Sequence, residues 1–144
     1  MITKKASKAL RSSPLFFGLA DSSLDTLLPL FDEKTFERSK CVVSEGSPGN
    51  TLYFVRSGSL SLTRKVDEDK SIEVAVLGSG DVFGEMALLT DTPRSVTITA
   101  TEETTMLVLS RKSLEVLREK NFTVFADVIN YMANVVCRRL TDVT

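Results

Sequence analysis

The spacing of apolar positions changes twice along the chain. Before about residue 33 the spacing is helical, because four apolar residues recur at i, i+3, i+4 and i+7: Leu24, Leu27, Leu28 and Phe31. Asp21 or Ser22 can cap this helix, and Pro29 should kink or shorten its last turn. The basic stretch from Thr3 to Ser13 predicts an earlier, weakly amphipathic helix before Pro14. Two N-terminal helices are therefore expected within residues 3–31.

From about residue 35 the spacing becomes that of β-strands. Turn residues every eight to twelve positions separate five short segments rich in Val, Thr, Leu and Ile: Thr51–Arg56, Leu60–Val66, Ile72–Leu77, Val96–Ala100 and Met106–Leu109. Ser57-Gly58 and the charged run Asp67–Lys70 are the predicted hairpin turns. A compact antiparallel barrel or sandwich over residues 33–110 follows from this pattern.

After Ser110, a predicted N-cap, helical spacing returns through residues 111–140: Leu114, Leu117, Phe122, Phe125, Ile129, Met132, Val136 and Leu140. The predicted fold class is α+β, an antiparallel β-roll (a jelly-roll-like barrel) flanked by N-terminal helices and two C-terminal helices. At 144 residues we expect a single domain over 1–144. The segment from Phe122 to Leu140 offers more apolar surface than one helix needs to pack on its own domain. This surplus favours a homodimer or an output domain docked there.

Composition excludes several function classes. Eighteen basic and nineteen acidic residues give a net charge of −1, too little positive field for this chain alone to bind nucleic acid through bulk charge. The sequence contains no histidine, which argues against Ser-His-Asp hydrolysis, against a metal site and against a cupin-type enzyme. Cys41 and Cys137 are predicted to be reduced and to pack as small apolar residues. No apolar run is long enough to span a membrane, and a cytoplasmic protein that is not an enzyme is expected.

The segment from Leu77 to Ala100, LGSGDVFGEMALLTDTPRSVTITA, carries the candidate chemistry. Gly84 opens a turn, and the backbone N–H groups at the start of the following short helix can bind an anion. Arg94 follows nine positions after Glu85 and can close on the same anion with a bidentate guanidinium. Glu85 would repel an anion, so its role is to accept hydrogen bonds from neighbouring hydroxyls, or to pair with Arg94 when no ligand is bound. A phosphate beside a sugar hydroxyl suits this arrangement.

The stretch FGEMALLTDTPRSVTITA resembles the phosphate-binding cassette of the cyclic nucleotide-binding domain superfamily. This superfamily includes cAMP-receptor proteins, kinase regulatory subunits and cyclic-nucleotide-gated channels. EGSPGNTLYFVRSGSLSL is similar to the family's glycine-punctuated strand pair, and LGSGDVFGE to the approach to its cassette. The resemblance covers roughly residues 14–140 and implies a regulatory domain that binds cAMP or cGMP, without a metal, and moves its C-terminal helices in response.

Carried over residue by residue, the resemblance implies a specific ligand set. Arg94 binds the phosphate oxygens, Glu85 the ribose 2′-hydroxyl, and the backbone amides of Gly84, Met86 and Ala87 complete the phosphate site. Ser95 adds its hydroxyl or amide. Apolar walls around the base are implied for Leu77, Phe83 and Met86. A lid over the base is implied for one face of the last helix, formed by Tyr131, Val135 and Arg139.

Two features bear on specificity. Ser95 stands where threonine is associated with cGMP contacts in the resembling family, which favours cAMP. Val96 stands where alanine is usual and would tighten the strand behind the cassette. The alternative function is a protein-interaction scaffold of the same fold with an empty or repurposed pocket. A repurposed pocket should have lost Arg94 or Glu85, and both are present. The sequence leaves open whether the chain is a stand-alone sensor or one domain of a longer protein.

Overall fold

A computed structural model describes residues 2–13, 16, 18–90 and 93–142 of the chain. The helices are α1 (Lys4–Arg11), α2 (Asp21–Leu27), α3 (Glu85–Leu89), α4 (Arg111–Lys120) and α5 (Phe122–Asp142), with a 3₁₀ turn at Leu28–Leu30. The strands are β1 (Asp32–Phe36), β2 (Cys41–Val43), β3 (Thr51–Ser57), β4 (Ser59–Asp67), β5 (Lys70–Gly78), β6 (Val82–Phe83), β7 (Thr97–Ala100) and β8 (Thr104–Ser110). The predicted order of helices, strands and helices is confirmed.

The strands form two antiparallel four-stranded sheets, ordered β1-β8-β3-β6 and β2-β7-β4-β5. Residues from both sheets share one apolar core, which includes Val55, Leu60, Ile98 and Met106. This is the predicted α+β architecture with a β-roll between terminal helices. The hairpin at the charged tip forms as expected, because β4 ends at Asp67, β5 begins at Lys70 and the two strands pair. The prediction of a hairpin at Ser57-Gly58 was wrong. The chain does turn there, but the turn joins β3 of the first sheet to β4 of the second, and these two strands do not pair.

The two central strands of the first sheet, β3 and β8, are buried on both faces. On β3, Leu52 and Phe54 face a second core shared with the helices, while Val55 belongs to the core between the sheets. On β8, Leu107 and Leu109 alternate in the same way with Met106 and Val108. A strand that packs on both faces needs apolar residues at successive positions, which explains the continuous run MLVL.

The N-terminal helices confirm two local predictions and correct one. α1 forms within the predicted stretch from Thr3 to Ser13, and Pro29 turns the end of the second helix into a 3₁₀ turn. Thr3 caps α1 by accepting a hydrogen bond from the Ala6 N–H at 3.1 Å. The prediction that Asp21 or Ser22 caps α2 was wrong. Ala20 is the N-cap residue and has no side-chain hydrogen bond, while Asp21 is the first residue of the helix. A carboxylate there still favours the N-terminal end of the helix dipole.

Ser110 is the N-cap of α4, as predicted, and its hydroxyl accepts a hydrogen bond from the Ser113 N–H at 3.1 Å. Pro14, which follows the first predicted helix, and the apolar residues Leu15 and Phe17 after it lie outside the described residues. Strands β1 and β6 were not predicted individually, and β2 was predicted only as a strand that contains Cys41. They are short, and β1 is mostly exposed, so none of them carries an extended apolar alternation.

The prediction that both cysteines pack as small apolar residues was wrong, because both thiols are exposed. Cys41 does lie on a strand, but β2 turns Val43 into the core and leaves Cys41 outside, with its thiol donating to the Val43 carbonyl oxygen at 3.3 Å. Cys137 lies on the exposed side of α5. The spacing of apolar residues alone did not show whether each cysteine lies on the buried or the exposed face of its strand or helix.

The Gly58 turn generates a stability prediction. Gly58 has a φ of 106°, and a Cβ there would lie 2.4 Å from Thr104 Oγ1 and 2.6 Å from Thr104 Cα. Thr104 is fully buried, and its hydroxyl accepts the Ser59 N–H at 3.2 Å. We expect Gly58→Ala to lower the free energy of unfolding by about 2–4 kcal/mol, because backbone strain and overpacking add. Urea denaturation followed by circular dichroism measures this.

The matched control is Gly80→Ala. Gly80 also has a positive φ, 91°, but no atom lies within 4 Å of the Cβ position, so only the backbone strain applies. The loss should then be about 1–2 kcal/mol. Equal losses at both positions would contradict the role assigned to the contact with Thr104.

Candidate functional site

The main chain of Arg94 is fixed by the turn between β2 and β3. The Gly46 N–H donates to the Arg94 carbonyl oxygen at 2.7 Å, and the Arg94 N–H donates to the Ser47 carbonyl oxygen at 2.9 Å. This turn is itself held by Glu45, whose carboxylate accepts the Lys65 N–H of β4 at 2.9 Å. Arg94 therefore projects from a backbone position that is anchored on both sides.

The Arg94 side chain is held at a second point. Its Nη2 donates to the main-chain carbonyl oxygen of Thr51 at 2.8 Å, and the guanidinium carbon lies 6.0 Å from the centre of the Tyr53 ring. Tyr53 in turn stacks on Phe83, with ring centres 4.7 Å apart and an interplanar angle of 13°. The first residues of β3 thus set both the position and the surroundings of the guanidinium.

Gly84 is required by the close approach of these groups. Its φ is 84°, and an added Cβ would lie 2.5 Å from the Thr51 carbonyl oxygen and 2.8 Å from Arg94 Nη1. Only glycine allows this conformation and this contact together. The turn at Gly84 directs the chain into α3, so that Glu85 becomes the first residue of that helix beside the guanidinium.

Gly84, Glu85 and Arg94 line one pocket of about 410 Å³. Its polar side groups come from Glu85, Arg94 and Ser95. Its remaining lining is apolar or backbone: Val43, Leu62, Phe83, Gly84, Pro93, Val96 and Ile98. An anionic group fits beside Arg94, and a flat apolar group fits against the strand residues.

The pKa shifts at the site are explained by burial. Burial lowers the pKa of the Arg94 guanidinium, while Tyr53 and Glu85 act in the opposite direction. Burial raises the pKa of Tyr53, against the effect of Arg94 and of a hydrogen bond with Thr51. A guanidinium remains charged at neutral pH despite such a shift, so the pocket contains a partly desolvated cation. Such a cation interacts strongly with an anionic ligand.

Five of the predicted site residues line this pocket: Phe83, Gly84, Glu85, Arg94 and Ser95. Met86 and Ala87 follow in α3, and their side chains lie outside the described part of the structure, as do the side chains of Val135 and Arg139 in α5.

Two predicted base contacts lie elsewhere in this structure. Leu77 is not among the described residues that line the pocket, because on β5 it pairs with Leu60 and packs into the core between the sheets. The Tyr131 hydroxyl accepts the Gly18 N–H at 2.8 Å, and its ring contacts Gly18. Tyr131 therefore packs α5 onto the N-terminal segment, in the core formed by the helices, instead of covering the pocket.

Sequence reasoning missed the strand residues that line the pocket, Val43, Leu62 and Ile98, and it assigned Val96 only to the strand behind the cassette. It also missed Thr51 and Tyr53, which hold Arg94. Inward alternation on β4 and β7 was the available signal for Leu62 and Ile98. No sequence signal identifies the carbonyl oxygen of Thr51, because any residue supplies one.

Within residues 2–13, 16, 18–90 and 93–142, no three His, Cys, Asp or Glu side chains come together as a metal site. Among the described helices, none combines the length and the apolar character needed to cross a membrane.

Comparisons with known proteins agree with this geometry. The family model for the cyclic nucleotide-binding domain matches residues 33–121. The cyclic AMP receptor protein of Thermus thermophilus is 34% identical over 134 residues, which is 92% of this chain and 60% of that protein. This chain thus spans less than two thirds of that relative's length.

Solved structures extend the likeness. The N-terminal domain of a transcriptional regulator from Streptomyces coelicolor A3(2) superposes with a TM-score of 0.78 at 30% identity, covering 94% of both chains. The regulatory domain of Toxoplasma gondii PKA, crystallised with cAMP, superposes with a TM-score of 0.71 at 33% identity, covering 81% of this chain and 46% of that one. With the match over residues 33–121 and the pocket built around Arg94, the chain belongs to the cyclic nucleotide-binding domain family.

Proposed function

We propose that the pocket around Arg94 binds cAMP in preference to cGMP and that the domain is a regulatory module, not an enzyme. The observation that carries this proposal is the partly desolvated guanidinium of Arg94, fixed by the turn at Gly46-Ser47 and by the Thr51 carbonyl. Partial burial removes water from the guanidinium and costs solvation free energy. Charge-assisted hydrogen bonds to a phosphate offset that cost. A guanidinium held in one orientation can donate two parallel hydrogen bonds to the paired oxygens of a cyclic phosphate.

Glu85 is the proposed acceptor for the ribose 2′-hydroxyl. Its carboxylate lines the same pocket and lies close enough to Arg94 to act on the guanidinium pKa, so one ligand can meet both groups. The backbone amides of Gly84, Met86 and Ala87 and the hydroxyl or amide of Ser95 complete the proposed phosphate site. The base would lie against Phe83 and the apolar strand residues Leu62 and Ile98.

The preference for cAMP is supported by Ser95 at the pocket and by relatives whose names include cAMP.

The whole of 1–144 is proposed as one domain, with N-terminal helices over 3–31, the β-roll over 33–110 and C-terminal helices over 111–140. A cytoplasmic location is part of the proposal. So is an output through the last helix, either to a second copy of the chain or to an output domain.

We also propose that ligand binding moves the C-terminal helices. Leu88 of α3 is buried in the same core as Leu114 of α4 and Val128 of α5, so a shift of α3 must repack these helices. The joint between α4 and α5 is the non-helical residue Asn121, with φ −152° and ψ 80°. Closure of a lid by Tyr131, Val135 and Arg139 would require Tyr131 to leave Gly18. Differential affinity of the ligand for two arrangements would drive this change.

The first prediction tests the phosphate contact. In Arg94→Lys, affinity for cAMP should fall about 10- to 100-fold, because an ammonium does not reproduce the planar fork. Calorimetric titration with cAMP and cGMP, after co-purified nucleotide is removed by unfolding and refolding, measures both affinity and preference. The matched control is Arg56→Lys on β3, whose side chain pairs with Glu33 at 3.2 Å; it should bind as the unmodified protein does. Absence of binding by the folded unmodified protein would favour the scaffold alternative.

The second prediction concerns Glu85. The unmodified protein should bind 2′-deoxy-cAMP about tenfold or more weakly than cAMP, because a hydrogen bond to a charged acceptor is lost. Glu85→Ala should bind the two ligands equally. Competition titration of both ligands against both proteins gives the comparison. Equal affinity of the unmodified protein for cAMP and its 2′-deoxy analogue would show that the role given to Glu85 is wrong.

The third prediction concerns helix movement. The chain has two cysteines, and both thiols are exposed: Cys41 on β2 and Cys137 on α5. Spin labels at this native pair should change their mean separation by about 2–5 Å when cAMP saturates the protein. Pulsed electron paramagnetic resonance measures the distance. Labelled Arg94→Lys at the same cAMP concentration is the control, and an unchanged distance in fully bound, unmodified protein would contradict helix movement.

A further inference from the structure

We infer that Tyr53 is a positioning residue for Arg94, whose ring face holds the guanidinium in the plane in which it meets the ligand's phosphate. The inference rests on the proposed phosphate contact of Arg94 and deepens it. Tyr53 is not among the described residues that line the pocket, so its effect on the ligand acts through the arginine.

The Tyr53 ring is itself well fixed. Tyr53 pairs with Phe83 of β6 on one side of β3 and with Val108 of β8 on the other. Its ring stacks on the Phe83 ring at 4.7 Å with 13° between the planes, and the Arg94 guanidinium carbon lies 6.0 Å from its centre. Side chains on two paired strands thus support one cation on a rigid aromatic surface.

The chemistry of this contact suits an arginine that must bind an anion. A guanidinium has five N–H donors, and the bond from Nη2 to the Thr51 carbonyl uses one of them. Held at that point alone, the group could still rotate. An aromatic face attracts the cation without taking a conventional N–H hydrogen bond, whereas a carboxylate would compete with the phosphate for the same donors. Tyr53 therefore restrains the guanidinium and leaves its fork for the ligand.

The ring, and not the hydroxyl, carries this role. Burial raises the pKa of Tyr53, so the side chain is neutral at physiological pH and its attraction to Arg94 is that of a π-system for a cation. Phenylalanine retains the ring face and should retain the function. An aliphatic side chain fills part of the volume but offers no such face.

The test compares cAMP affinity by calorimetry in Tyr53→Leu and Tyr53→Phe. Tyr53→Leu should bind about 5- to 30-fold more weakly than the unmodified protein, and Tyr53→Phe within about threefold of it. The matched control is Phe54→Leu, which removes the neighbouring aromatic ring of β3 from the opposite face, where it is buried against the helices. It should lower stability and leave cAMP affinity within about twofold. If Tyr53→Leu does not fold, Tyr53→Met replaces it.

A double-mutant cycle with Arg94→Lys separates positioning from a general loosening of the site. In the Arg94→Lys protein, adding Tyr53→Leu should weaken cAMP binding less than twofold, because the planar group it positions is gone. An equal loss in both backgrounds, a loss in Tyr53→Phe as large as in Tyr53→Leu, or full affinity in Tyr53→Leu would overturn the inference. Failure of the unmodified protein to bind cAMP would instead overturn the proposed function.

Discussion

The site depends on holding one guanidinium in a partly desolvated position. Arg94 is anchored through its main chain to the turn at Gly46-Ser47 and through its side chain to the Thr51 carbonyl. Each anchor comes from a segment far away in sequence. Such a cation is unfavourable without partners, so the surrounding strands must be in register before the site exists. The chemistry of the pocket is therefore inseparable from the completion of the β-roll.

Gly84 links this constraint to the rest of the cassette. The guanidinium and the Thr51 carbonyl approach the main chain at Gly84 so closely that no side chain fits, and the same residue adopts a φ of 84° to start α3. Placement of Glu85 beside Arg94 follows from that turn. One glycine therefore sets both the approach of the cation and the direction of the helix that borders the pocket.

The two faces of the first sheet connect the pocket to the helices. Tyr53 faces the site, while its neighbours Leu52 and Phe54 face the core made with α2, α4 and α5. Leu88 of α3 enters the same core, and Tyr131 of α5 binds the N-terminal segment through Gly18. Packed cores respond to displacement by repacking, so a change at the cassette has a direct physical route to the last helix.

Periodicity and local motifs were enough to predict the order of helices and strands, the hairpin at the charged tip, the cap at Ser110 and the grouping of Glu85, Arg94 and Ser95. Local spacing determines these features, because turn chemistry and capping act within a few residues. The sequence alone did not determine the cap of α2, the exposure of Cys41 and Cys137, or the positions of Leu77 and Tyr131. It also did not identify Thr51 and Tyr53 as the groups that hold Arg94. Those outcomes depend on which face each element turns to its neighbours and on contacts between distant segments, and only the packed tertiary structure decides them.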